Sequence, residues 1–253
     1  MHEISRRLDL LAKDPVALRR MKQIQPLKGL RGVPLGDVAQ VAAEVYRQTP
    51  MQLPDDFDVL HSLFCTAHED GLVAIALASA AAVDEPEEGL ELGMRWLEMV
   101  DDLETADALG WLLIGPALQA LSSGDELVSM AKDERPMVRR AGVIGCLSAL
   151  PVRVEGPAAA CLRERAGERH IQMVDAPNSP LLAKVMLRGV RDRDSHVLRA
   201  VGRVLRGWGE SDPNAVTQFV ATCPGGMPKR LREQAEKGAR KGRRRWTSDE
   251  ESG

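Results

Sequence analysis

Aromatic residues are scarce in this chain: four Trp, three Phe and one Tyr make up 3% of 253 residues. Runs of alternating β-branched residues are missing as well, which argues against a sheet. No stretch reaches 18 uncharged residues; Ala108 to Gly124 comes closest, and Gly115-Pro116 breaks it. A membrane-spanning helix needs about 20 apolar residues, so none is expected. The start, Met1-His-Glu-Ile-Ser-Arg-Arg, lacks the basic-then-apolar layout of a secretory signal. Cysteine is limited to Cys65, Cys146, Cys161 and Cys223, with no Cys-x-x-Cys. These read as small buried side chains in a reducing compartment, and a cytoplasmic protein is expected. The phosphate-cradling Gly-x-x-x-x-Gly-Lys and the nucleophile motif Gly-x-Ser-x-Gly do not occur, and the five histidines share no metal-ligand spacing. Neither a metal nor a small-molecule cofactor is expected.

What is present favours helix: Ala, Leu, Val, Glu and Arg dominate. Gly and Pro punctuate about ten to twelve helical segments joined by short loops. Segments 4–24 (interrupted at Asp14-Pro15), 57–65, 70–82 and 136 onward read as helices, and Asp37 reads as the cap of another. From Pro86, Leu90, Met94, Leu97 and Val100 are spaced as one apolar stripe. Asp101 to Ile114 is apolar nearly all round and is expected to be buried.

Two stretches follow one template. Asp133-Glu-Arg-Pro-Met-Val138-Arg139-Arg140-Ala141 lines up with Asp192-Arg-Asp-Ser-His-Val197-Leu198-Arg199-Ala200. The reading is a HEAT-type second helix, with the Asp as cap, the Val in the core and an Arg projecting from the first turns. In the second copy Val197, Ala200, Val201, Val204 and Leu205 form the apolar side, opposite Arg199, Arg203 and Arg206. The expected fold is therefore an all-α, HEAT-like α-solenoid, a superhelix of antiparallel helical pairs. The expected organisation is a solenoid over 1–228, a basic terminal helix over 229–241, and a disordered charged tail over 242–253.

The net charge of −3 hides segregation: residues 84–107 hold ten acids against Arg95, while residues 185–245 hold fifteen Arg and Lys against six acids. Such a molecule can present one basic face to an anion. Arg240-Lys-Gly-Arg-Arg-Arg245-Trp246 reads either as a solvated tail or as a phosphate contact, with Trp246 able to stack on a base. Asp107 stands out among the carboxylates, because Leu103, Trp111 and Ile114 share its helix face. Arg140 likewise lies on the apolar side of its helix, and a guanidinium there calls for a carboxylate, a phosphate or a carbonyl. Asp107 paired with Arg140, or both on a shared ligand, are the two arrangements this suggests.

The order of these landmarks resembles the DNA alkylation repair family, the AlkD-like HEAT-repeat DNA glycosylases. Gly32-Val33-Pro34 resembles its loop before a helix, and His68-Glu69 its His-Glu pair at a helix start. Leu103-Glu-Thr-Ala-Asp107, followed by Gly115, sits where the family carries Trp-Asp-x-Val-Asp and a Gly. Met137-Val-Arg139-Arg140-Ala141 resembles its Trp-x-x-Arg-Ala helix. Ala200-Val-Gly-Arg203-Val-Leu-Arg206 resembles its Ala-Ile-Gly-Trp-x-Leu-Arg helix. Met227-Pro-Lys229-Arg230 falls where a Leu-Ser-x-Arg element precedes the last helix.

The resemblance implies excision of cationic alkylated purines, of the 3-methyladenine or 7-methylguanine type, from double-stranded DNA without base flipping. It implies Asp107 as the residue that stabilises positive charge and places the attacking water, and Arg140 as a DNA contact near the lesion; Arg199, Arg203, Lys229 and Arg230 are the further basic residues expected on the DNA. Leu103, Glu104 and Trp111 are candidates to touch the lesion, with a core role as the other reading of Trp111. Leu103 and Arg203 stand where the family has its two cleft tryptophans. A monomer is expected. The alternative is a non-catalytic HEAT-repeat protein that binds DNA structures or a protein partner.

Overall fold

The computed structural model describes residues 2–24, 28–151 and 177–250 of the chain. Cys161, the Gly156-Pro157 break and the end of the expected tail fall outside these residues, as does the Trp246 side chain. All regular elements among the described residues are helical, so the fold class is all-α with HEAT-like pairing of helices. The chain forms two compact units, one drawn from Met1–Ser123 and the other beginning at Gly124. No helix among the described residues is long and apolar enough to cross a membrane.

In the first unit, α1 (His2–Leu11) and α2 (Asp14–Ile24) match the expected interruption at Asp14-Pro15. Helix α3 (Leu35–Gln48) starts earlier than expected. Pro34 takes the capping position, and Asp37 lies in the first turn rather than capping it. There its carboxylate still meets the positive end of the helix dipole. Helices α4 (Phe57–Thr66) and α5 (His68–Ala81) are joined by Ala67 alone, which is extended at φ −147° and ψ 173°. Every residue of α5 except Ser79 is buried.

Helix α6 (Pro86–Leu97) corrects the expected stripe. Its buried face is Gly89, Leu92, Gly93, Trp96 and Leu97, while Met94 is exposed. Close approach explains the choice of face. A Cβ at Gly89 would lie 2.2 Å from the Ala82 Cβ, and one at Gly93 would lie 2.8 Å from Ile114 Cγ1. Helix α7 (Leu103–Ala108) runs into a π-helical turn (Leu109–Ile114) and then α8 (Gly115–Ala120). Thr105 through Gly115 are buried, as the all-round apolar pattern requires.

The second unit holds α9 (Asp125–Met130), α10 (Pro136–Gly145) with a 3-10 turn (Cys146–Ala149), α11 (Ser179–Gly189), α12 (Ser195–Ser211), α13 (Pro213–Thr222) and α14 (Lys229–Glu250). Both copies of the repeat put their valine, Val138 and Val197, in the core. The aspartates do not cap as expected. Asp133 and Asp192 each stand two residues before the cap and accept the backbone N–H two positions on, from Arg135 at 2.9 Å and Asp194 at 2.8 Å. Asp194 is the cap of α12, accepting from His196 and Val197. At the start of α10, Pro136 occupies the first turn, where a missing N–H costs nothing. The template is therefore an Asp turn placed ahead of the helix.

The chain expected to be disordered beyond Lys241 continues as helix to Glu250. Packing is the reason: Gly242 lies so close to α12 that a Cβ there would be 2.7 Å from the Gly209 carbonyl oxygen. Lys241 also pairs with Glu210 at 2.8 Å. Of the cysteines, Cys146 and Cys223 are buried as expected, but Cys65 is exposed, on the outer side of α4.

Candidate functional site

In the first unit the loop before α3, the start of α5 and the start of α7 meet around buried charge. Glu69, fully buried, grips the loop: it accepts the N–H of Gly32 at 2.9 Å, of Val33 at 3.2 Å and of Arg31 at 3.0 Å. Gly32 has φ +82°, and a Cβ there would sit 2.6 Å from Ala17. A glycine is therefore required twice over, by conformation and by space. Arg20 of α2 donates to Glu69 at 2.9 Å, to the Val33 carbonyl at 2.8 Å, and to Glu104 of α7. Arg31 donates to Asp70 at 2.8 Å and also pairs with Asp9, while Ser5 donates to Asp70.

Asp102 caps α7, accepting from the N–H groups of Glu104 and Thr105 at 2.9 Å each and from Thr105 Oγ1 at 2.7 Å. His68 lies against this start, with Nε2 3.1 Å from Glu104 Oε2 and Nδ1 3.5 Å from Asp102 Oδ2. Burial works against charge on the ring, but the two carboxylates outweigh it and raise the His68 pKa to about 9. For Asp102 and Glu104, burial acts against the carboxylate, and the bonds from His68, joined at Glu104 by Arg20, leave both below their ordinary values. Among the described residues no cluster of His, Cys, Asp and Glu is arranged to hold a metal ion.

Asp107 follows Glu104 by one turn on α7, immediately ahead of the π-helical turn, and is only 5% exposed. Local π geometry is frequent at functional positions. Trp111 is buried inside that turn, and Leu103 is half-buried at the first position of α7. Glu104 is also half-buried, with its carboxylate taken up by Arg20 and His68.

The predicted basic residues belong to the second unit. Arg140 is buried and donates to the His196 carbonyl at the start of α12, one of the three partners its position called for. Its counterpart Arg199 is exposed, so the repeat does not place the two guanidinium groups alike. Arg203 is half-buried, whereas Lys229 and Arg230 are exposed at the start of α14. Arg139, passed over in favour of Arg140, binds the two copies together. It donates to Asp192 at 2.6 and 3.2 Å and to the carbonyls of Asp133 and Glu134.

Sequence reasoning missed Arg20, Arg31 and Asp102. Asp102 was within reach, since an Asp immediately ahead of an apolar helical segment with Glu104 in its first turn is a helix-start signal. The two arginines carry no local signal, because their carboxylates come from distant segments.

The family model for DNA alkylation repair enzyme matches residues 12–238. A solved structure described as a predicted DNA alkylation repair enzyme from Enterococcus faecalis superposes with a TM-score of 0.64. It is 14% identical, and the match covers 89% of this chain and 95% of that one. No curated protein matches significantly. At that identity the structure speaks for the fold alone, whereas the family match spans most of the sequence. The chain belongs to the DNA alkylation repair enzyme family.

Proposed function

We propose that this protein binds double-stranded DNA and hydrolyses the N-glycosidic bond of cationic alkylated purines, of the 3-methyladenine or 7-methylguanine type, without flipping the base into a pocket. The observation that carries the reading is Asp107: a carboxylate withdrawn from water, on a short helix whose start is fixed by ionic contacts. A desolvated carboxylate stabilises an oxocarbenium ion as the bond to the base breaks. The bond electrons go to the purine, which leaves neutral because it began as a cation. Water then adds to C1′ and gives up a proton to solvent. Arg199, Arg203, Lys229 and Arg230 are assigned to the DNA backbone, and Leu103 and Glu104 to the surroundings of the lesion; Arg140, buried on the His196 carbonyl, and Trp111, buried in the π-helical turn, are assigned to supporting these surfaces from within.

Release of free 7-methylguanine from a methylated duplex tests this, comparing wild type with Asp107→Asn. The variant is expected to lose about 100-fold or more in rate, the usual scale for one preorganised electrostatic group. Equal release by both proteins removes Asp107 from the mechanism. A second reading, a relative that binds DNA without excising a base, draws on Leu103 and Arg203 standing where the resemblance places the family's two cleft tryptophans. It predicts salt-sensitive duplex binding with no base release.

A further inference from the structure

His68 faces two carboxylates, the Asp102 cap of α7 and Glu104 in its first turn. Its side chain is 1% exposed, Nε2 is 3.1 Å from Glu104 and Nδ1 is 3.5 Å from Asp102. A neutral imidazole has a single N–H and can donate to only one of them. Charge counting points the same way. Four carboxylates meet here: Glu69 and Asp70 from α5, and Asp102 and Glu104 from the start of α7. Arg20 serves Glu69 and Glu104, and Arg31 serves Asp70 together with Asp9. Among the described residues Asp102 has no guanidinium partner; Lys28, half-buried on the loop, feels Asp102 and the neighbouring Asp101 through space only. The ring supplies the missing positive charge.

We infer that His68, as the imidazolium, is a positioning residue for Asp107: holding Asp102 at the cap and Glu104 in the first turn, it sets the start of the helix that carries the Asp107 carboxylate. The inference rests on the reading of Asp107 as the charge-stabilising group. Helix α7 opens a helical run that continues through the π-helical turn and α8, and the N–H groups of its first turn have no intrahelical acceptor, so Asp102 is what satisfies them and fixes where the run begins. Asp107 lies one turn from Glu104, with no loop between them to absorb a shift. A proton held up to about pH 9 keeps the clamp closed through neutral pH.

The test is single-turnover release of 7-methylguanine from methylated duplex between pH 6 and 9.5, using full-length wild type and His68→Gln, with duplex affinity measured in parallel. The wild-type rate is expected to fall as pH passes about 9. The variant keeps a donor toward Glu104 but cannot titrate. It is expected to be about tenfold slower at pH 7, to show no alkaline fall, and to bind duplex within about twofold of wild type. Wild-type rate and profile in the variant would overturn the inference.

Amide exchange on the wild-type protein gives an answer independent of catalysis and of how the variant folds. Exchange at Thr105–Asp107 should accelerate above pH 9 beyond that of α12 amides in the same sample. Equal acceleration in both helices refutes the clamp. If wild type releases no base at any pH while α7 exchange behaves as expected, the clamp stands and the catalytic reading of Asp107 fails.

Discussion

The α5–α7 cluster and the α12–α14 surface are built from the same residue types and use them in opposite ways. In the cluster, Arg20 and Arg31 are enclosed with carboxylates from α5 and α7. On α12 and α14, Arg199, Lys229, Arg230, Lys237 and Arg240 stand in solvent, with no acidic partner among the described residues. Charge that is buried and paired holds structure, because removing one member strands the other. Exposed charge adds little to stability and stays available to a polyanion. Net charge along the sequence misses this division. The acidic stretch from Asp84 splits the same way: Asp84, Glu85, Glu87, Glu91 and Glu98 face solvent, whereas Asp102 and Asp107 are buried.

The largest effect expected from breaking the cluster follows loss of Glu69. Glu69→Ala removes the acceptor for three backbone N–H groups and leaves Arg20 with one carboxylate. The cost should be about 3–5 kcal/mol, read from denaturant unfolding. Glu236→Ala on the exposed face of α14 is the comparison and should be silent. A loss below about 1 kcal/mol for Glu69→Ala would mean that the loop holds itself without the carboxylate.

The next effect depends on pH. His68 titrates at about 9 in the folded protein and near 6.5 when unfolded. Its raised pKa contributes stability that is complete below about pH 6.5 and is lost as pH rises through 9. That contribution is roughly 3 kcal/mol. Asp102 and Glu104 act in the other direction: their lowered values contribute stability above the ordinary carboxylate range, lost as pH falls through the folded values. Thermal unfolding from pH 6.5 to 9.5 should show Tm falling in wild type and staying flatter in His68→Gln. Parallel curves for the two proteins would place the alkaline loss elsewhere.

The second region is expected to fail by contact rather than by charge. A Cβ at Gly238 would lie 2.1 Å from the Arg206 carbonyl oxygen, so Gly238→Ala must push α14 off α12. The expected cost is about 1–3 kcal/mol by denaturant unfolding. Gly36→Ala is the control, since a Cβ there meets nothing within 4 Å and a helical Ala gains up to about 1 kcal/mol over Gly. Similar losses at both positions would rule out close packing as the reason for Gly238.

Helices with one strong periodicity were legible in the sequence: α12 buries Val197, Ala200, Val201, Val204 and Leu205 as their spacing requires. The face of α6 was not. Its contact is made by Gly89 and Gly93, and a pattern weighted toward large apolar side chains points to the wrong side. The same blindness hid the continuation of α14, where Gly242 reads as the start of a tail but is a contact point on α12, as Gly238 is within the expected helix. Asp107 was legible as an anomaly, a carboxylate on an apolar face. What steadies its helix was not, because Arg20, His68 and Glu104 come from three separate segments. Ionic partnerships across long separations leave no periodic trace.

The smallest effect on stability should be the most informative about binding. Lys237 and Arg240 project from α14 into solvent. Replacing both with Ala should leave Tm unchanged within measurement, because exposed unpaired cations hold nothing in place. If the exposed cations track DNA phosphates, each residue removed lowers the slope of log K against log salt by about 0.9. The double variant should therefore lose a slope of about 2, equally on damaged and undamaged duplex, since phosphate contacts carry no information about the base. Asp107→Asn should leave that slope untouched while slowing release by about 100-fold or more. An unchanged slope in the double variant would confine the DNA contact to Arg199, Lys229, Arg230 and their neighbours at the start of the two helices. Loss of affinity only on damaged duplex would tie α14 to the lesion itself, and the division between a structural charge cluster and a general DNA-binding surface would have to be redrawn.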